Sequence, residues 1–266
     1  MRIIPCLWLL ILTFALMIPV GMKWGIKIRI VLPWALITGT IGCLTINLAD
    51  RYIHFQFLSQ IVIGLSAAAV LTSVAILVLF FRDPERIPRK EDRVILSPAD
   101  GTILYIKEIA KGEFPFSVKK GRRVPLKEFA GENVVGEFGM QVGIGMNLLN
   151  VHVNRTPIKG KVVLLKRIPG RFLSLRKIES LLENERVLTI IQGSEMKVGV
   201  VQIASRLVRR IVSHISEGEN VEAGQRLGMI RFGSQVDLLI PQMERLRVTI
   251  SSGQEVKAGL SVIAEY

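Results

Sequence analysis

The chain has 266 residues, half of them apolar, and its 35 Lys and Arg against 22 Asp and Glu give a formal net charge of +13. This size allows a membrane segment together with one or two compact domains. The two cysteines, Cys6 and Cys43, both lie in apolar segments, which excludes a disulfide framework and a zinc site of regular cysteine spacing.

Three long segments near the N-terminus carry no charged residue: residues 3–22, 30–49 and 55–81. Each is long enough to cross a hydrocarbon core as a helix, so we expect two or three transmembrane helices within a membrane anchor of residues 1–81. Because Arg2 precedes the first segment, a signal peptide is the alternative. The length of the run, the basic residues after it and the lack of an A-x-A-like site favour a retained helix.

The basic residues predict the orientation of these helices. Lys23, Lys27 and Arg29 follow the first segment, and four more basic residues follow the third: Arg82, Arg86, Arg89 and Lys90. The positive-inside rule therefore predicts that residues 82–266 lie on the cytoplasmic side of the cell membrane. The positive charge of residues 82–266 favours attraction of this domain to anionic lipid. The basic residues form no RNA-binding motif and no recognition-helix pattern, so we expect no nucleic-acid partner.

From residue 82 onward the pattern changes to short β-type runs separated by glycine. Strands are predicted at residues 94–96, 102–106, 136–144, 161–166, 187–192, 197–203, 227–232, 236–239 and 247–250. A modest helical pattern covers only residues 174–184. The polar stretch 111–137 is an excursion to which the sequence assigns no role.

One internal repeat indicates duplicated β-hairpin units. ISEGENVEAG at residues 215–224 and ISSGQEVKAG at residues 250–259 share six of ten positions. Such duplication, and the likeness of this turn to biotinyl and lipoyl carrier domains, predict a mostly-β domain resembling a barrel-sandwich hybrid. Two rival functions follow from that fold: a carrier modified at Lys197, and a membrane-anchored adaptor or transport protein without catalysis.

Several polar residues have both a structural and a chemical interpretation. Asp100 precedes Gly101 in a turn-forming sequence, and His152 and His214 lie beside β-type residues such as Val151 and Ile215, where histidine is commonly structural. Gly233-Ser234 is typical of a turn. It also allows another outcome, because a serine hydroxyl reaches the preceding carbonyl easily when that residue has no side chain.

Six short sequence motifs occur in the order found in one family: SPADG at 97–101, VHVNR at 151–155, NER at 184–186, QIA at 202–204, RRIV at 209–212 and RFGSQVD at 231–237. The chain resembles the phosphatidylserine decarboxylase proenzymes of the short bacterial and archaeal type, which includes archaetidylserine decarboxylases. FFRDPER at residues 80–86 is similar to that family's junction between membrane segment and catalytic domain.

The resemblance implies self-cleavage between Gly233 and Ser234, giving a β chain of residues 1–233 and an α chain of residues 234–266. Ser234 would become a pyruvoyl group, the enzyme's own cofactor and an electron sink comparable to PLP. Asp100 would orient His152, and His152 would activate Ser234. The implied substrate is a serine phospholipid in the membrane, decarboxylated to the ethanolamine lipid. No metal site is expected, and a homodimer is left open.

Three positions depart from the family pattern. Leu149 occupies a site where some relatives carry a histidine credited with a role in decarboxylation, so the proton donor to the carbanion is unassigned. Gln235 replaces an arginine found in many short members. The segment beginning at Arg167 lacks the histidine or tyrosine that often precedes its Pro-Gly.

Overall fold

The computed structural model describes residues 3–23, 26–49, 56–88, 93–109, 116–119, 122–125, 138–168, 185–204, 210–231 and 234–266. The predicted helical stretch 174–184, most of the excursion 111–137, and Gly233 lie outside the described residues. The chain divides into two compact units, one formed by residues 1–81 with 147–149 and the other by residues 82–146 with 150–266.

The first unit contains three helices, α1 (Ile3–Lys23), α2 (Ile28–Ala49) and α3 (Phe57–Phe81). All three are long and apolar enough to cross a membrane. The sequence predicted two or three such helices, and the described residues contain three. Leu9 of α1 packs in the centre of the bundle with Ile46 and Ile61. A Cβ atom at Gly42 would lie 3.0 Å from the carbonyl oxygen of Gly64, so small residues permit close approach of α2 and α3.

Within the described residues, the regular secondary structure of the second unit consists of strands. In chain order they are β1 (Val94–Leu96), β2 (Gly101–Glu108), β3 (Phe116–Lys119), β4 (Arg122–Pro125), β5 (Phe138–Met146), β6 (Val153–Arg155), β7 (Gly160–Ile168), β8 (Arg186–Gln192), β9 (Lys197–Ala204), β10 (Arg210–Ser213), β11 (Asn220–Val221), β12 (Arg226–Arg231), β13 (Ser234–Pro241), β14 (Arg247–Val248), β15 (Glu255–Val256) and β16 (Val262–Glu265).

Every strand predicted from the sequence has a counterpart here, with ends shifted by a few residues. The prediction of a mostly-β domain is therefore confirmed. Its strands form an eight-stranded open sheet in the order β11-β7-β8-β9-β13-β5-β2-β15, two three-stranded sheets, β1-β16-β14 and β10-β12-β6, and the pair β3-β4. The finer expectation of a barrel-sandwich hybrid stays a prediction.

Strand β13 lies inside the large sheet, between β5 and β9. Its side chains alternate between two faces. Val236, Leu238 and Ile240 join the main hydrophobic core, whereas Leu239 belongs to a second apolar cluster on the opposite face. Since both neighbours pair antiparallel with it, the first residues after the predicted cleavage site are held by a ladder on each side.

The duplication extends further than the repeat visible in the sequence. Gly259 N donates to Ser97 O at 2.8 Å, and Gly224 N donates to Thr156 O at 2.8 Å. The same correspondence relates SPADG at 97–101 to TPIKG at 156–160, and it relates the β2–β15 pair to the β7–β11 pair. The β domain therefore contains two copies of one unit, each assembled from two separate stretches of chain.

In each copy the long strand, β2 or β7, begins with a glycine, because another backbone passes too close for a side chain. A Cβ atom at Gly101 would lie 2.3 Å from the carbonyl oxygen of Gly145, and one at Gly160 would lie 2.2 Å from that of Gln192. In both copies the backbone of another strand passes where a side chain would start. Close approach of two backbones therefore favours glycine at both positions.

Candidate active site

Two of the residues singled out by the sequence, His152 and Ser234, lie at the ends of two segments that connect strands. One runs from the end of β5 to His152, and the other from the end of β12 to Ser234. Ser234 lies opposite Met146, the last residue of β5, in the β13–β5 ladder. On the other side, Ile230 N donates to the carbonyl of His152 at 3.2 Å. Ile230 and Ser234, which precede and follow Gly233 in the sequence, are therefore both paired with the segment of residues 146–152.

Ser234 itself is described only by its backbone, at the first position of β13, where it also pairs with Ala204 of β9. Ser234 is four positions after Ile230, which limits the distance between their Cα atoms to about 14 Å. Strand register and chain length therefore limit how far Ser234 lies from His152, and direct contact between them stays a prediction.

His152 is fully buried just before β6, and its Nδ1 atom lies 2.8 Å from the carbonyl oxygen of Asn150. A carbonyl can only accept, so the proton of the neutral ring sits on Nδ1 and the lone pair on Nε2. Burial lowers the pKa of His152 to about 4, against the opposing effect of the hydrogen bond to Asn150. The ring is therefore neutral near pH 7, the protonation state that a general base requires.

Two charges act on the histidine through space. Arg82 lowers the pKa of His152, and Asp100 raises it, in addition to the larger effect of burial. A carboxylate near the ring favours the imidazolium that forms when His152 takes a proton. Arg82 opposes that state and favours the neutral base.

Asp100 occupies the turn between β1 and β2 and is almost fully buried. Its carboxylate accepts two hydrogen bonds from Arg86, at 2.5 and 2.9 Å, and one from Ala258 N at 2.8 Å. The hydrogen bond at His152 Nδ1 goes to Asn150 instead. An orienting role of Asp100 toward His152 stays a prediction, and the contacts within the described residues support an influence through charge.

A buried polar cluster next to Ser234 had no predicted role. The carboxylate of Asp237 accepts hydrogen bonds from Tyr105 Oη at 2.9 Å, Gln235 Nε2 at 2.8 Å and Gln141 Nε2 at 3.0 Å. Gln235 Nε2 also donates to Tyr105 Oη at 2.9 Å. The available signal in the sequence was an acidic residue between Val236 and Leu238 in an otherwise apolar strand.

Another polar pair crosses the main core. Gln202 of β9 donates to Asn154 Oδ1 at 2.8 Å, and both residues are fully buried. Asn154 lies two residues after His152, and Gln202 lies opposite Val236 of β13. This hydrogen bond ties the strand that follows His152 to the sheet that holds Ser234.

The other residues discussed from the sequence lie at ordinary structural positions. Arg167 contacts Glu185 at 2.6 Å and donates to the carbonyl of Ile211 at 2.8 Å. His214 is exposed at the end of β10. Lys197 begins β9 directly after the turn in which Gly193 N donates to Met196 O. Leu149 N donates to Asn147 Oδ1 within the loop that leads to His152.

Comparison with known proteins identifies the family. The sequence profile for phosphatidylserine decarboxylase matches residues 74–264. A phosphatidylserine decarboxylase proenzyme of Pelodictyon phaeoclathratiforme is 37% identical over 224 residues, 84% of this chain and 92% of that protein. A candidate archaetidylserine decarboxylase proenzyme of Methanocaldococcus jannaschii is 41% identical over 203 residues, 74% of this chain and 93% of that protein.

A second such archaeal protein, from Methanothermobacter thermautotrophicus, is 39% identical over 205 residues, 76% of this chain and 87% of that protein. The matched region includes both loops of the candidate site. The profile and these relatives agree over most of the sequence, and the chain therefore belongs to the phosphatidylserine decarboxylase family, whose members are carboxy-lyases.

Proposed function

We propose that this protein cleaves itself at Gly233-Ser234 and then, with a pyruvoyl group derived from Ser234, decarboxylates a serine phospholipid to the ethanolamine phospholipid and CO₂. The observation that carries the proposal is the backbone arrangement at the two loops. It holds Ser234 at the start of β13, opposite Met146, and His152 beside Ile230, with the His152 ring buried and neutral.

The first half of the proposal is an intramolecular acyl shift. The Ser234 hydroxyl attacks the carbonyl carbon of Gly233, and its proton passes to Nε2 of His152. The amide nitrogen of Ser234 leaves that carbon, which gives an ester. β-Elimination then frees Gly233 as a carboxylate, and hydrolysis of the resulting dehydroalanine releases ammonia and leaves pyruvoyl at the new N-terminus.

The fold supports retention of the modified residue after such a cut. Residue 234 would remain the first residue of β13, paired with β5 and β9 of the other piece. Further along the α chain, β15 pairs with β2 and β16 pairs with β1. A pyruvoyl group held there supplies the electron sink that loss of CO₂ from a serine headgroup requires.

The substrate class follows from what the relatives have in common. Their names specify phosphatidylserine and archaetidylserine, lipids that share the serine headgroup and differ in their tails. The chemistry takes place on the headgroup, so we assign the serine phospholipid class to this chain. Turnover of ester-linked and ether-linked forms in parallel would identify the preferred tail.

Membrane attachment suits such a substrate. Three helices are long and apolar enough to cross the bilayer, and they would keep the enzyme at the surface where its substrate is found. The distribution of Lys and Arg places the β domain on the cytoplasmic side in this proposal. The anionic leaflet there would attract the basic domain.

Intact-mass measurement of the purified full-length protein tests the proposal. Wild type should give two chains, with a break between residues 233 and 234 and a pyruvoyl mass at residue 234. Ser234→Ala should give one unbroken chain, and Ser213→Ala, a matched serine at the end of β10, should cleave normally. Borohydride should reduce the pyruvoyl carbonyl and abolish turnover of serine lipid.

An unbroken wild-type chain in a preparation that decarboxylates serine lipid would refute the pyruvoyl mechanism. An unbroken and inactive chain would favour the non-catalytic alternatives instead, namely an adaptor or a carrier. A mass increase confined to Lys197 would then distinguish the carrier.

A further inference from the structure

The segment that follows the third helix contains an arginine to which the family resemblance gave no role. Arg86 Nη1 and Nη2 contact the two carboxylate oxygens of Asp100 at 2.5 and 2.9 Å. Nη1 also donates to the carbonyl oxygen of Ala258 at 2.7 Å. The Arg86 and Asp100 side chains are only 7% and 10% exposed, so the ion pair is shielded from water.

Asp100 completes the arrangement from the other side. Its Oδ1 atom accepts a hydrogen bond from Ala258 N at 2.8 Å. The N–H and the C=O of one residue, Ala258, are thus held by an ion pair contributed by two others. Ala258 is fully buried, so water does not replace either bond when it is lost.

These three residues fall on opposite sides of the proposed cut. Arg86 and Asp100 belong to residues 1–233, whereas Ala258 belongs to residues 234–266. Before cleavage the bonds join two parts of one chain. After cleavage they join two chains, and dissociation of the shorter chain would remove residue 234 from the active site.

The internal duplication provides a comparison within the same molecule. In the second copy, Lys159 stands where Asp100 stands in the first, and Ala223 stands where Ala258 stands. Lys159 pairs with Glu222 at 2.9 Å, but these side chains are 73% and 70% exposed. Both halves of that copy lie within residues 1–233. At the matching positions 100 and 159, the ion pair is therefore buried in the copy that spans the cut and exposed in the copy that does not. The second copy has a buried arginine of its own, Arg155, which donates to the carbonyl oxygen of Gly224 at 2.9 Å, but both of these residues lie before the cut.

We propose that Arg86 and Asp100 form an interchain clamp that retains the α chain of the processed enzyme by holding Ala258. In this role Arg86 is a positioning residue and touches no reacting atom. Its own segment is anchored near by, since Asp83 contacts Arg226 at 2.5 Å and Arg155 at 3.5 Å. The proposal rests on the self-cleavage described above.

The test measures retention of the α chain in full-length protein, purified in detergent, over a series of urea concentrations. Once Arg86→Ala has been allowed to cleave to completion, it should release residues 234–266 at a urea concentration lower by about 1 M or more, because it leaves a buried carboxylate without its cation. Arg86→Lys keeps a charge but loses the two-point contact, so it should release the α chain at a urea concentration between those of wild type and Arg86→Ala. Lys159→Ala, the matched control in the other copy, should behave as wild type.

A second comparison separates the clamp from a general contribution to folding. In the Ser234→Ala background the C-terminal piece stays covalently attached, which gives it a high effective concentration. Hydrogen exchange at the Ala258 amide should therefore rise much less with Arg86→Ala in this uncleaved background than in the cleaved protein. Equal changes in both backgrounds would overturn the clamp.

Two further results are decisive. If cleaved Arg86→Ala and Arg86→Lys both retain the α chain to the same urea concentration as Lys159→Ala, the clamp is wrong and self-cleavage stands. If wild type is not cleaved at all, both proposals fail together. Should Arg86→Ala not fold, the Arg86→Lys protein decides the question.

Discussion

The Nδ1 atom of His152 lies 2.8 Å from the carbonyl oxygen of Asn150, two residues earlier in the same loop. This bond fixes the tautomer of a buried histidine through a backbone carbonyl. It leaves the lone pair on Nε2, the atom that our mechanism uses to accept the Ser234 proton. The local loop thus contributes to the orientation of the ring, and an orienting role of Asp100 stays a prediction.

Replacement of His152 by Gln should slow self-cleavage by roughly 10²–10⁴-fold, the contribution expected of a general base, because an amide cannot take the hydroxyl proton. The fraction of cleaved chain, followed over time by intact mass, measures the effect. His214→Gln, at an exposed strand end, is the matched control and should cleave as wild type. Normal cleavage by His152→Gln would exclude His152 as the base.

The pKa of His152 should respond in opposite directions to its two charged neighbours. Arg82→Gln removes a positive charge that lowers the pKa, so the pKa should rise above the value of about 4. Asp100→Asn removes a negative charge that raises the pKa, so the pKa should fall below that value. Histidine ring signals in the uncleaved Ser234→Ala background would report both, with His152→Gln identifying the resonance.

The same pKa predicts the pH dependence of cleavage. The neutral base persists as pH falls from 7 toward 5 and is lost only as pH passes through about 4. A loss of cleavage centred near the ordinary histidine pKa of about 6.5 would show that burial does not shift the pKa of His152.

For the two charge variants, a pKa of His152 that shifts in the same direction in Arg82→Gln and in Asp100→Asn would contradict the assigned charge effects.

Asp237→Asn should destabilise the β domain by roughly 2–4 kcal/mol, since it replaces a buried acceptor of three hydrogen bonds by a group that has only one oxygen. Urea unfolding of the uncleaved Ser234→Ala protein measures the loss. Glu265→Gln, in the exposed position of β16, is a matched carboxylate control and should change stability little. Equal midpoints for the two variants would show that the cluster contributes nothing specific.

Deletion of residues 1–78 should spare self-cleavage, because Asp100, His152 and Ser234 all lie in the β domain. Turnover of serine lipid in vesicles should fall, since the anchor no longer holds the enzyme at the bilayer. Turnover of a short-chain serine phospholipid below its micelle concentration serves as the control and should change little. Full vesicle activity in the deleted protein would refute the tethering role of the helices.

Local patterns predicted much of the architecture because they report burial and backbone conformation directly. Three uncharged segments gave the three helices, and alternating apolar runs such as that around Val236 gave the strands. The second half of the duplication went unseen because SPADG and TPIKG share only proline and glycine at matching positions, with a serine for a threonine. The backbone hydrogen bonds of Ser97 and Thr156 reveal the correspondence.

By itself, the sequence determined the helices, the β character of the domain and the residues able to carry the chemistry, Ser234 and His152. Only the tertiary structure decided which residues form hydrogen bonds and ion pairs with each other. Asp100 pairs with Arg86, 14 residues before it, and with Ala258, 158 residues after it. Hydrogen bonds are directional and short, so they depend on where distant parts of the chain cross, and residue patterns along the chain do not record those crossings.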